Sequence, residues 1–86
     1  MGVYKIVICP KAVKQLAKIP EPFRTRLAAA IRDLGLNPRP NGCQKLAGAD
    51  QYRIRVGNYR AIYEISDTEV VVTVTKTAHR KEVCRP

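Results

Sequence analysis

Tyr52-Arg53-Ile54-Arg55-Val56-Gly57-Asn58-Tyr59-Arg60-Ala61-Ile62-Tyr63-Glu64-Ile65 reads as two alternating strands joined by a tight turn. Tyr52, Ile54 and Val56 recur at every second position, the period of a half-buried strand. Gly57-Asn58 is a two-residue hairpin loop in which both residues tolerate positive φ. With those two residues as the loop, Val56 faces Tyr59, Arg55 faces Arg60, Ile54 faces Ala61, Arg53 faces Ile62 and Tyr52 faces Tyr63. Directly opposed residues share a face of a sheet. Tyr52, Ile54, Val56, Tyr59, Ala61, Tyr63 and Ile65 therefore fall on a core side, and Arg53, Arg55, Arg60, Ile62 and Glu64 on the other.

The second face carries an unusual charge pattern. Arg55 opposite Arg60 is a like-charge pair, which destabilises a sheet unless an anion or a carboxylate answers it. Strand arginines often just lean into water, but three against one glutamate point to an anion site. The same register sends Tyr52, Tyr59 and Tyr63 to the core, so they are not read as base-stacking platforms.

Toward the N-terminus, Val3 to Cys9 is a Val- and Ile-rich run and predicts a first strand. Both of its faces are largely apolar, which predicts a central or well-covered place in the sheet. Pro10 suits the first position of a helix, where a missing N–H costs nothing. Val13, Leu16 and Ala17 form an apolar stripe there, with Lys11, Lys14 and Lys18 along the other side. Pro20-Glu21-Pro22 ends this helix and starts the next. In the second helix Phe23, Leu27, Ile31 and Leu34 share one face, Ala28, Ala29 and Ala30 allow close approach, and Arg24, Arg26 and Arg32 stay outside. Gly35 and Asn37-Pro38 stop it, and the loop from Arg39 to Asp50 holds Gln44-Lys45-Leu46 as a short extended piece. Beyond the hairpin, Ser66-Asp67-Thr68 is a turn and Glu69 to Lys76 a β-branched last strand. With Ile65 facing Val70, the core side receives Val70, Val72 and Val74, and Val71, Thr73 and Thr75 join the arginine face. The expected fold is α+β: a helical hairpin on a four-stranded, mostly antiparallel sheet, in the order βααβββ.

Composition bounds the function. Eighty-six residues bury roughly two-thirds of their unfolded surface, enough for one modest core, so residues 1–86 read as one domain with a surface site and no enclosed cofactor. Sixteen Lys and Arg against seven Asp and Glu give a net charge of +9, spread along the chain. Such a field attracts nucleic acid or acidic protein. No apolar run approaches a membrane span and no signal-peptide pattern opens the chain, so a cytoplasmic protein is expected. Cys9, Cys43 and Cys84 are odd in number and lack C-x-x-C spacing. With His79 as the sole imidazole, neither a disulfide framework nor a metal site is expected.

In sequence the chain resembles the toxins of the RelE/ParE superfamily. The resemblance covers nearly its whole length: the βααβββ order, Leu46-Ala47-Gly48, Tyr52-Arg53-Ile54-Arg55, Tyr59-Arg60-Ala61-Ile62-Tyr63-Glu64 and His79-Arg80-Lys81-Glu82-Val83. It implies a toxin of a type II toxin–antitoxin system, held inactive in a hetero-oligomer by an acidic antitoxin that folds over the basic surface. The RelE-like branch implies metal-independent cleavage of mRNA in the ribosomal A site; the ParE-like branch implies non-enzymatic inhibition of DNA gyrase. A degenerate toxin that only binds its antitoxin is a third reading.

On the RelE-like reading, Arg53 and Arg55 match basic residues that bind and orient the RNA backbone and assist proton removal. Arg60 matches the residue that contacts the scissile phosphate. His79 and Arg80 lie in the segment that supplies a charge stabiliser or a leaving-group acid, and His79 is the only side chain here that titrates near neutrality without help. Cys84 stands where many RelE-like sequences carry a tyrosine that stacks on a base or moves a proton. It is either a thiol base, activated by Arg80 and Arg85, or an inert buried cysteine. Lys11, Lys14, Lys18, Lys45 and Lys81 are the expected RNA-backbone contacts.

Overall fold

The computed structural model describes residues 3–46 and 51–79. Its elements run β1 (Lys5–Ile8), α1 (Pro10–Ala17), α2 (Phe23–Asp33), β2 (Gln44–Lys45), β3 (Gln51–Val56), β4 (Tyr59–Ser66) and β5 (Val71–His79). The sheet order is β1-β5-β4-β3-β2, with β1 parallel to β5 and the other neighbours antiparallel. The helices pack on one face of the sheet, α1 over β5 and α2 over β3 and β4. The α+β class and the βααβββ order are as expected, but there are five strands rather than four, because Gln44 and Lys45 pair with Arg53 and Tyr52. No helix among the described residues is long and apolar enough to cross a membrane.

The β3–β4 hairpin has the register derived from its turn, from Val56 opposite Tyr59 back to Tyr52 opposite Tyr63. Only Gly57 takes a positive φ there, 60°, which glycine adopts without steric cost. A Cβ on Gly57 would also sit 2.8 Å from the Phe23 ring, so the start of α2 rests directly on the turn. The core between the layers is built from Leu27 and Ile31 of α2 and its C-cap Leu34 with Tyr63, Ile65, Val72 and Val74 of the sheet. Tyr52 and Tyr63 stack at 5.8 Å within it. The Tyr63 hydroxyl donates to the Pro38 carbonyl at 2.8 Å, and burial pushes its phenol pKa up.

Three expectations are corrected. β1 is an edge strand, not a central one. From β1 the chain runs through both helices to β2 at the opposite edge, and only β5 comes back to pair with β1. Val7 lies on the uncovered face at 38 % exposure while Ile6 and Ile8 pack inward. Apolar residues on both faces do not distinguish an edge from a centre when one face is open.

On α1 the inward residues are Ala12 and Leu16, followed just past the helix by Ile19, and Val13 is 50 % exposed. The helix is turned by about one residue from the expected stripe because its polar atoms serve β5. Thr77 donates its hydroxyl to the Ala12 carbonyl at 3.2 Å and its N–H to Gln15 Oε1 at 2.9 Å.

In β5, Ile65 faces Val72 rather than Val70, and Val70 is an exposed turn residue at φ 59°. The slip is two residues, so Val72 and Val74 keep their faces. Thr75 is then the extra residue of a β-bulge, between Lys76 opposite Ile62 and Val74 opposite Tyr63. Its hydroxyl donates to the Ile62 carbonyl at 3.3 Å. Beyond the bulge the alternation inverts, which carries Thr77 into the core.

Two polar clusters fasten the loops. Glu21 accepts from the Thr25 hydroxyl and N–H at 2.6 and 3.0 Å and pairs with Arg24 at 2.9 Å. These bonds, Thr25's first, hold its carboxyl below the usual range. Asp67 accepts from Arg39 at 2.9 Å and from Tyr4 at 2.6 Å, and Arg39 reaches on to the Tyr52 hydroxyl at 3.2 Å. The Arg39 bond is the main reason the Asp67 carboxyl is lowered.

Candidate nucleic-acid interface

The face away from the helices presents successive rows across three strands. One row is Arg55, Arg60 and Ala78; the next is Arg53, Ile62 and Lys76. Gln44 on β2 extends the second row, and its Oε1 accepts a hydrogen bond from Arg53 Nη2. The turn at Gly57 fixes this register, and a one-residue slip of either strand would turn its arginines to the helix side.

Arg60 departs from the expected picture of an open strand arginine. It is only 5 % exposed, yet its Nε is buried with no hydrogen-bond partner among the described residues. Arg55 opposite it is exposed. Among the described residues neither makes an ion pair; the pairs formed there are Arg24–Glu21 and Arg39–Asp67. Glu64, the carboxylate of this face, accepts from Gln51 at 3.3 Å one row beyond Arg53. A buried guanidinium with an unanswered donor, facing a second guanidinium, is a built preference for an anion. Guanidinium forks match phosphate oxygens bidentately and stay charged at any physiological pH. They hold and neutralise phosphate and are poor proton acceptors.

Lys76 belongs to this face and was not among the expected contacts. Counted by strict alternation from Val72 and Val74 it would point to the core, and only the bulge at Thr75 brings it round beside Ile62. Nothing in the β-branched run signals that bulge. Ala78, the register partner of Arg60 on β5, is buried with it at 5 % exposure.

The other expected site residues are elsewhere. His79 ends β5 opposite Tyr59, on the helix side, with the two rings edge to face at 5.2 Å. Lys11, Lys14 and Lys18 are exposed on α1, in the layer on the far side of the sheet from the arginines. Lys45 is exposed on β2 and in register with Tyr52, hence on the helix side as well. Arg80, Lys81 and Cys84 lie outside the described residues.

The fold has known relatives. The sequence model of the ParE toxin of the type II toxin–antitoxin system parDE matches residues 6–83. No curated protein matches the chain significantly. Among solved structures, the archaeal RelE–RelB complex from Pyrococcus horikoshii OT3 is similar at 30 % identity and a TM-score of 0.82, over 91 % of this chain and 96 % of that one. A mutant of the Escherichia coli toxin RelE in the free state gives 26 % identity and 0.78, over 93 % and 86 %. The RelB–RelE antitoxin–toxin complex from Methanococcus jannaschii gives 28 % and 0.73, over 90 % and 93 %. Matched by the ParE toxin model over almost all of its length, and sharing its fold with RelE toxins over the same span, this chain belongs to the RelE/ParE superfamily of type II toxin–antitoxin toxins.

Proposed function

We propose that this toxin is a ribosome-dependent mRNA endonuclease that uses the substrate's own 2′-hydroxyl as nucleophile and no metal. The observation that carries the reading is Arg60, buried with its Nε unanswered and set opposite Arg55. In this mechanism Arg53, braced by Gln44, holds the RNA backbone so that the 2′-oxygen lies in line with the scissile phosphorus. Arg60 and Arg55 stabilise the dianionic phosphorane as it forms, the step for which preorganised donors count most. The 2′-hydroxyl proton leaves to a base outside the arginine set, and the 5′-oxygen takes up a proton as its bond to phosphorus breaks. The products are a 2′,3′-cyclic phosphate and a free 5′-hydroxyl. Proton delivery falls to the segment from His79 through Arg80 to Cys84, at the end of the strand that carries Ala78 past Arg60.

The ribosome places the substrate codon in the A site, and the toxin acts in the cytoplasm. The surface lysines, Lys11, Lys14, Lys18, Lys45 and Lys81, add backbone contacts that strengthen binding without selecting sequence. An acidic antitoxin neutralises the toxin by forming a hetero-oligomer with it. The +9 charge supports such a partner, and so do relatives solved as toxin–antitoxin complexes.

A second reading, inhibition of DNA gyrase without catalysis, is favoured by the match to the ParE toxin model. One experiment separates the two. The purified toxin is added to a translating extract, new mRNA 5′-ends are mapped, and a gyrase supercoiling assay is run beside it. The nuclease reading expects new 5′-ends within codons of translated mRNA, cyclic phosphate termini and no cutting of naked RNA. Intact mRNA with blocked supercoiling would replace it by the gyrase reading, and silence in both assays would leave a protein that only binds its antitoxin.

A further inference from the structure

Where β4 begins and β5 ends, a cavity of about 410 Å³ opens on the helix side of the sheet, beside the last turn of α1. Gln15, Lys18, Tyr59, Thr77, Ala78 and His79 line it. It lies across the sheet from the arginines but very close to them, since Ala78 is the register partner of Arg60 and His79 that of Tyr59. One residue of strand, about 3.3 Å, separates the arginine row from the row at the cavity mouth.

Gln15 and Lys18, on the α1 side of this cavity, offer hydrogen-bond donors. Gln15 Oε1 is engaged by the Thr77 N–H, which leaves the Gln15 amino group as the end offered to a ligand. The Lys18 ammonium has three donors and no acceptor. The walls are aromatic. The Tyr59 and His79 rings stand at 90° to each other, so a flat ligand stacked on one meets the other edge-on. A planar heterocycle with adjacent acceptors along one edge fits both features. Guanine presents N7 and O6 side by side, whereas adenine sets an amino donor next to N7 and would face donor with donor.

We propose that this cavity recognises a guanine base flanking the phosphate held on the arginine face. The proposal rests on the reading of the toxin as an RNA-binding enzyme and adds a base preference supplied by its own side chains. A guanine nucleotide reaching round the end of the sheet would keep its backbone near Arg55 and Arg60 and place its base between Tyr59, His79 and the donors of α1.

The test is direct binding, followed through the Tyr59 and His79 ring resonances by NMR. GMP, AMP, CMP, UMP and inorganic phosphate are titrated separately into the full-length protein. GMP is expected to give saturable shifts and to bind at least about fivefold more tightly than AMP, the low end of what a paired base contact discriminates. Phosphate alone should leave the rings unmoved. Gln15→Glu keeps an acceptor for the Thr77 N–H but turns the amino donor into an oxygen, and should abolish the preference for GMP. Lys18→Met, at an exposed position, should weaken GMP binding by a similar factor. Rings that respond to no nucleotide, or a GMP preference that survives Gln15→Glu, would overturn the proposal. So would tighter binding of a poly-glutamate peptide than of GMP, which would make the cavity a seat for an acidic protein segment. The readout does not depend on cleavage. Nucleotide binding without mRNA cleavage would remove the nuclease reading alone, and cleavage without nucleotide binding would remove the base site alone.

Discussion

The two faces of the sheet handle their polar atoms in opposite ways. Under the helices they are answered: Tyr63 donates to Pro38, Tyr52 receives from Arg39, and Thr77 bonds to both Ala12 and Gln15. On the other face Arg60 is as buried as a core residue but its Nε has no hydrogen-bond partner among the described residues, and it faces a second cation. An unanswered buried donor costs about 1–3 kcal/mol, and the Arg55–Arg60 pairing adds cross-strand repulsion. A fold that bonds its polar groups under the helices but, among the described residues, leaves Arg60 Nε unbonded on the other face concentrates its unmet demand at the Arg55–Arg60 pair. The helix face holds the protein together, and on the proposed function the arginine face is completed by the substrate phosphate.

Substitutions on the two faces should therefore move different quantities. The largest effect is expected under the helices. Leu27→Ala, at a fully buried position, should lower stability by about 2–5 kcal/mol, read as a drop in urea midpoint. Its specific activity should be normal at temperatures where the variant is still folded. Next, Arg55→Ala should reduce cleavage by about a hundredfold, the scale of losing one transition-state donor. Its melting temperature should equal or slightly exceed that of the wild type, because a like-charge pair is relieved. A clear fall in melting temperature would show that Arg55 is structural and the division by face is wrong.

Lys76→Ala is a smaller change that tests whether the bulge really delivers Lys76 to the arginine face. RNA binding should weaken uniformly across sequences, with the salt dependence reduced by about one charge. An unchanged salt slope would place Lys76 outside the site. The smallest effect should come from Asp67→Asn, at the exposed clamp with Arg39 and Tyr4. The Asp67 carboxyl has a lowered folded-state pKa, so its contribution to stability is present above its unfolded pKa of about 3.9 and is lost as pH falls through the folded value. The variant should melt slightly below the wild type at pH 7, and the two should converge in strongly acidic solution. A gap that persists there would mean that the charge is not what matters.

The hairpin was fully legible in the sequence because Gly57-Asn58 fixes the pairing and alternation then assigns every face. Arg53, Arg55 and Arg60 could be placed on one side from that alone. Burial of Arg60 could not be read, because alternation reports which way a side chain points and not what surrounds it. The second half of β5 was illegible for a different reason. Val70 through Thr77 are nearly all β-branched, so the run accepts any register, and neither the two-residue slip nor the bulge at Thr75 leaves a mark in composition. Those two features place Lys76 with the arginines and His79 with Tyr59 over α1. The edge position of β1 was hidden because its apolar outer residue, Val7, looks like a core residue in sequence. The face of α1 was misread because Gln15 and Thr77 rather than apolar residues orient that helix.

The claim that Arg60 is kept for an anion at the expense of stability is tested most directly by thermal unfolding of wild type and Arg60→Met, alone and with a saturating 2′-O-methyl RNA oligonucleotide that lacks the nucleophile. Without RNA the variant should melt at or above the wild type, since methionine fills much of the same space and removes a buried donor with no partner among the described residues. With RNA at a hundred times its Kd the wild type should gain about 2.7 kcal/mol, and the variant clearly less. A variant that melts well below the wild type without RNA, and is stabilised by RNA to the same extent, would contradict the account and make Arg60 a structural residue.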